Sequence, residues 1–302
     1  MIYEYALEPE MVATWGKAHN HRFFIREFGL GQGRQVSRYP KTWARKVWEV
    51  FVGGSELERK RLEELLARMK ETMVKRKQYC WDESKSGWLE NALIEHNRYP
   101  FRGILARNNP GDLTEIISED DLANSQHQGW DVPHGIVVNR KAPEMVAAIG
   151  MMLSCCRWVK FIDPHLSPGR PDYRNSLRAF MKILAIGRSV GQPESVEIHT
   201  GRHEGTEDFL RDSYEKIIPA SLLVTIFQWE EKPSGQRLHN RYVLTDIGGV
   251  SFQHGLDTGA EGETDDITRL DREQYILRCK QYDPVTPAFD QAALPIEIVG
   301  SG

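Results

Sequence analysis

From about residue 132 onward the chain alternates short apolar, β-prone runs with helix-like segments, and this alternation limits its architecture more than any other feature. VKFIDPHL (159–166) reads as a buried strand ending in a turn, and Tyr173 to Arg188 as a helix. SVEIHT (195–200) is the next strand, residues 205–217 a helix, and LLVTIFQW (222–229) another strand. Further strands are expected at Tyr242–Leu244, around Phe252 and from Tyr275 to Cys279. Strands and helices in alternation predict an α/β domain in which helices cover a central sheet.

The N-terminal half reads differently. Residues 55–77 predict the clearest helix: Ser55 is a good N-cap, Glu58 completes a capping box, and Leu57, Leu62, Leu65, Leu66, Met69 and Met73 form an apolar stripe opposite a charged face. Ahead of it, His19 to Lys46 interleaves rings with cations: Arg22, Phe23, Phe24, Arg26, Arg34, Arg38, Tyr39, Lys41, Trp43, Arg45 and Lys46. Such a mixture suits a nucleic-acid surface, cations meeting phosphates and rings meeting bases, and it equally suits a core of aromatics under a charged coat. FGLGQGR (28–34) lacks the preceding strand and following helix of a dinucleotide loop. Residues 107–133 are polar and rich in turn formers, which predicts a boundary between a helix-rich accessory domain (1–131) and the α/β domain (132–302).

Composition narrows the partners only slightly. A net charge of −4 gives no global attraction to nucleic acid and leaves any such attraction to local patches. No apolar run reaches membrane-spanning length and MIYEYALEPE lacks the basic start of a leader, so the expectation is a cytoplasmic protein without a membrane partner. Cys80, Cys155, Cys156 and Cys279 have neither zinc-site spacing nor disulfide density and read as reduced thiols.

Chemistry enters with LHNRYVLTD (238–246), where His239, Arg241 and Asp246 stand at the spacing H-x-(K/R)-x4-D. A neutral imidazole can attack phosphorus and a neighbouring cation can neutralise the phosphate oxygens, without a metal. The pattern heads an apolar run that turns at Gly248 and Gly249 into a second β-prone run, so His239 and Arg241 are expected on one face of the first strand.

This motif in this context resembles the phospholipase D superfamily, and residues 135–290 look like one repeat of it, nearest to the single-motif bacterial nucleases and the catalytic domain of a metal-independent restriction endonuclease. The resemblance implies a phosphodiesterase acting on DNA or RNA through a phosphohistidine, with no cofactor and no metal. One motif where the mechanism uses two histidines implies a homodimer with two His239 residues facing across a twofold axis. Arg241 stands where the family usually has lysine. Where the family has G-S-x-N this chain has Gln253, His254, Gly255 and Leu256, which puts His254 near the serine position as a phosphate contact. The family's later carboxylate, which orients the nucleophilic ring, falls among Asp257, Glu263, Asp265 and Asp266, with Asp265 and Asp266 best placed. Asp246 belongs to the motif, where its expected work is to stabilise the turn. Arg34, Arg38, Lys41 and Arg45 are the expected substrate contacts of the N-terminal half.

Two rivals follow from the same residues. The departures from the family pattern suit an inactive nucleic-acid-binding or scaffold subunit that joins protein partners, as in a bacterial genome-defence complex. Asp163 and His165 at a strand end suggest a metal-dependent hydrolase, although an Asp-Pro turn explains them more simply. His199 and His203, after a strand and with Arg202 between them, are placed to contact substrate phosphates but read more readily as surface positions.

Overall fold

The computed structural model describes residues 1–302 except Ser86, Ser125, Gln126 and Glu204. It divides into two compact units, one of Ile2–Pro133 with Ser189–Gly191, the other of Met1, His134–Arg188 and Gln192–Gly302.

The first unit contains β1 (Tyr3–Leu7), α1 (Pro9–Ala13), α2 (Ala18–Glu27), β2 (Arg34–Val36), α3 (Trp43–Val50), α4 (Glu56–Lys70), α5 (Trp88–Arg98), β3 (Gly103–Leu105), β4 (Ile116–Ile117) and α6 (Glu119–Asn124). Its strands form a parallel sheet in the order β2-β1-β3-β4, so this half is helix-rich, as the sequence suggests, but its helices are built around a small sheet. Residues 107–133 carry β4 and α6, and the two units divide at their end, between Pro133 and His134; Ser125 and Gln126 of that stretch are outside the described residues. Aromatic packing fills the core, with Trp15 stacked on Phe24 at 3.5 Å between ring centroids and Phe28 and Trp43 buried nearby.

The α4 helix starts at the predicted cap, where the Ser55 hydroxyl accepts from the Glu58 N–H (3.2 Å) and the Ser55 N–H donates to the Glu58 carboxylate (2.9 Å). It ends at Lys70, seven residues before the expected end at Lys77. The chain leaves the helix because Val74 joins the sheet edge, donating to Val36 (2.9 Å) and accepting from Arg38 (2.8 Å), and because Arg76 dives into the interior. There Arg76 donates twice to Glu4 (2.9 and 2.8 Å) and once to Glu95 (2.8 Å), with its guanidinium 3.7 Å from the Phe101 ring centroid.

The second unit contains β5 (Gly135–Asn139), α7 (Ala142–Cys155), β6 (Trp158–Ile162), α8 (Pro171–Ala185), β7 (Ser195–Gly201), α9 (Glu207–Glu215), β8 (Leu223–Glu230), β9 (Tyr242–Thr245), β10 (Gly248–Phe252), β11 (Thr264–Arg269), α10 (Arg272–Gln281), β12 (Asp290–Gln291) and β13 (Ile296–Val299). Its sheet is mixed, in the order β12-β8-β7-β6-β9-β10-β11-β5, with β13 also paired to β8. Pairings β6–β7 and β7–β8 are parallel and the others antiparallel. Phe161 of β6 stacks on Phe180 of α8 across one face, while Tyr275 of α10 covers the other and donates to the Thr245 carbonyl (2.6 Å).

Two local expectations need correction. Residues Tyr275 to Cys279 are helical, not a strand, because Asp271 and Gln274 form a reciprocal capping box (2.8 and 3.2 Å) that starts α10. The turn after the motif strand is Asp246–Ile247, with Gly248 and Gly249 already in β10. A Cβ on Gly249 would come within 2.6 Å of the Leu244 side chain and 3.2 Å of Tyr275, so glycine there answers close packing under α10. No helix among the described residues is long and apolar enough to cross a membrane.

Candidate active site

The register of the large sheet assembles the site. β6 runs antiparallel to β9 with Ile162 opposite Tyr242, so Asp163, one residue beyond β6, comes beside Arg241, one residue before β9. β10 pairs Ser251 with Tyr242, and β11 pairs Thr268 with Ser251, which brings the end of β10 and the start of β11 to the same edge. This is where open sheets with a change of strand direction keep their ligands.

A cleft of about 370 Å³ lies there, lined by His239, Asn240, Arg241, Tyr242, Ser251, Phe252, Gln253, Asp266 and Thr268. His239 is exposed and sits three residues ahead of β9, so it and Arg241 lie on the segment leading into the strand, not within it. Tyr242, Ser251 and Thr268 share one face of the sheet and form the polar floor. Arg241 is mostly buried at its side chain, and its Nε lies 4.0 Å from Asp163 Oδ1.

Asp163 is fully buried and its carboxylate is heavily bonded. Oδ1 accepts from the His165 N–H (2.9 Å), and Oδ2 from the Leu256 N–H (2.9 Å) and the Tyr173 hydroxyl (3.3 Å). Burial raises its pKa, against the lowering effect of those amides and of Arg241. Gly255 allows the approach: a Cβ there would stand 2.6 Å from Asp257 and 3.1 Å from Asp163. The sequence reads Asp163 as a turn former, and its link to Arg241 emerges only from the strand register. His165 is exposed, and no group of three His, Cys, Asp or Glu side chains that could hold a metal occurs among the described residues.

The four candidate orienting carboxylates are separated by the structure. Asp257 and Glu263 bind Arg140 (2.7 and 3.0 Å). Asp265 is buried, with Oδ1 accepting from the Gln253 and His254 N–H groups (3.0 Å each). Only Asp266 lines the cleft with His239. His254 is exposed and outside the lining, and Leu256 is buried with its backbone committed to Asp163.

Asp246 sits at the opposite end of β9, accepting from the Arg157 N–H (2.7 Å) and Nε (2.9 Å). It ties the β9–β10 turn to the start of β6. His199 is not a surface residue: it is 1% exposed within β7. Its Nδ1 accepts from the Trp229 indole (3.0 Å), which leaves the proton on Nε2 to be donated to Glu197 (2.9 Å). Burial pushes the His199 pKa down to about 4. Burial alone would raise Glu197, but hydrogen bonds from His199 and Lys160 outweigh it and bring that carboxyl to about 2. His203 is half-buried, its backbone N–H donating to Gln228 (2.9 Å).

In the first unit Arg34 is committed inward, bound to Glu27 (2.9 Å) and the Trp130 carbonyl (2.6 Å) with its guanidinium over the Trp130 ring. Arg38 is half-buried, Arg45 pairs with Glu49 (3.1 Å) on the surface, and Lys41 is exposed. The chain matches no known protein-family model and none of the curated proteins compared with it.

Proposed function

We propose that the protein is a metal-independent phosphodiesterase of the phospholipase D type, acting on DNA or RNA through His239. The observation that carries this reading is the meeting of His239, Arg241 and Asp266 around one cleft at the sheet edge. His239 attacks phosphorus, the P–O bond to the leaving group breaks, and Arg241 neutralises the charge that builds on the phosphoryl oxygens. Asp266 is the acid available to orient the imidazole. In a homodimer the second chain's His239 gives its proton to the leaving oxygen and then takes one from the water that splits the P–N bond.

The test is hydrolysis of a chromogenic phosphodiester and of labelled oligonucleotides by the full chain in excess chelator. Activity should persist in chelator and fall to background in His239→Ala. Arg241→Ala should lose about 100-fold, the usual cost of one charge-stabilising donor, while Arg241→Lys retains most of the rate. Full activity in His239→Ala sinks the mechanism.

One observation favours a second reading, an inactive nucleic-acid-binding subunit. The position at which the family carries a phosphate-binding asparagine is Leu256, buried and turned inward. Nucleic-acid binding without cleavage under any metal or chelator condition selects this reading.

A further inference from the structure

We infer that the outer face of α2 is a binding surface for single-stranded nucleic acid, with Phe23 as a stacking platform between cations. His19, Arg22, Phe23 and Arg26 are spaced i, i+3, i+4, i+7, which places them on one stripe of the helix, and all four are exposed. Phe24, one residue from that stripe, points inward onto Trp15. The helix therefore has an anchored side and a presented side.

Two clefts flank the stripe. One of about 620 Å³ has Lys17, His19, Phe23 and Arg107 in its lining, and one of about 600 Å³ has His19, Arg22, Phe23 and Arg26. Phe23 and His19 belong to both. Lys17, Arg22, Arg26 and Arg107 make no ion pair with any described residue, in contrast to Arg34 and Arg45. The carboxylates lining the clefts are Glu119 in the first and Glu27 in the second, the latter already neutralised by Arg34, while Glu8 lies near Arg107 and Glu58 near Lys17. On a chain with net charge −4, Arg22 and Arg26 beside one exposed ring, with Lys17 and Arg107 further along the cleft, form a local attraction for a polyanion.

The ring decides which polyanion. Phe23 is 40% exposed and steadied from behind, edge-on to Phe24 at 4.9 Å and near-parallel to Trp130 at 6.2 Å. A duplex keeps its bases stacked on one another, whereas a single strand can lay a base on such a ring while its phosphates meet the flanking cations. The surface is built within the first unit, and its binding does not depend on the chemistry of the His239 cleft.

Fluorescence anisotropy of labelled single strands and of the matching duplex, with the full chain carrying His239→Ala so that bound strands stay intact, tests the inference. The single strand should bind more tightly than the duplex. Phe23→Leu, which keeps apolar bulk and removes the ring, should weaken the single strand about ten-fold and leave the duplex nearly unchanged. Arg22→Gln with Arg26→Gln should flatten the salt slope by about 1.4, two single-strand phosphates' worth. Circular dichroism should show an intact fold in each variant. Absence of binding by the parent, unchanged affinity and slope in the variants, or a duplex preference indifferent to Phe23→Leu overturns the inference. With native His239, the α2 variants should still hydrolyse a small chromogenic diester at the parent rate, so a failure of the cleft's chemistry is read separately.

Discussion

Arg241 and Asp163 are far apart in sequence and are joined because two antiparallel strands happen to end and begin side by side. Under the proposed function Asp163 is a positioning residue, since its carboxylate is held by amides and Tyr173 while it faces the guanidinium. In Asp163→Asn the side-chain NH2 must face one of those donors, costing about 1–3 kcal/mol and releasing Arg241. We expect kcat to fall about ten-fold, and the loss to be non-additive with Arg241→Ala in a double-mutant cycle. Additive losses would remove the coupling. His199 gives a different prediction. Its unfolded-state pKa is near 6.5 and its folded one about 4, so unfolding takes up a proton between those values. The associated stability is present above about pH 6.5 and is lost progressively as pH falls toward 4. Urea midpoints measured across this range should decline with acidification, and His199→Gln should flatten that part of the curve.

At the scale of elements, the buried cluster of Arg76 with Glu4 and Glu95 connects β1, the segment after α4 and α5. Arg76→Met removes the cation and strands two buried carboxylates, so a loss of about 3–5 kcal/mol is expected, checked by chemical denaturation. Glu4→Gln combined with Glu95→Gln and Arg76→Met should recover part of it. The same cluster explains what the sequence hides. MIYEYAL is apolar except for Glu4 and is buried on both faces, and the acid in its midst hides a core strand until Arg76, some seventy residues later, is seen to meet it. The larger sheet is far more legible, because Val159 and Phe161 in β6, Val196 and Ile198 in β7, and Val224 and Ile226 in β8 mark the two-residue period of a strand without any distant partner. α10 was misread because Tyr275, Ile276 and Leu277 are β-prone in isolation, while the capping box that makes them helical lies just upstream at Asp271. Of the site, His239 and Arg241 were legible from spacing alone. Asp163 was not, since its role depends on register.

At the scale of the whole molecule, the proposed two-histidine chemistry predicts self-association through the C-terminal half. Sedimentation at micromolar concentration should give a dimer, and a strict monomer would favour the binding-only reading. The division of the chain has its own consequence. Ser189–Gly191 belongs to the first unit although it is encoded between α8 and β7, and the Ser189 carbonyl accepts from the Lys77 and Gln78 N–H groups (2.8 and 3.1 Å). Met1 in turn belongs to the second unit, its carbonyl accepting from Arg269 (3.0 Å). A ribosome delivers the chain from its N-terminus at about 5–20 residues per second, so the first unit waits several seconds after Pro133 for its last piece. By then α7, β6 and α8 have already emerged, and the earlier half cannot close before the later half is well under way.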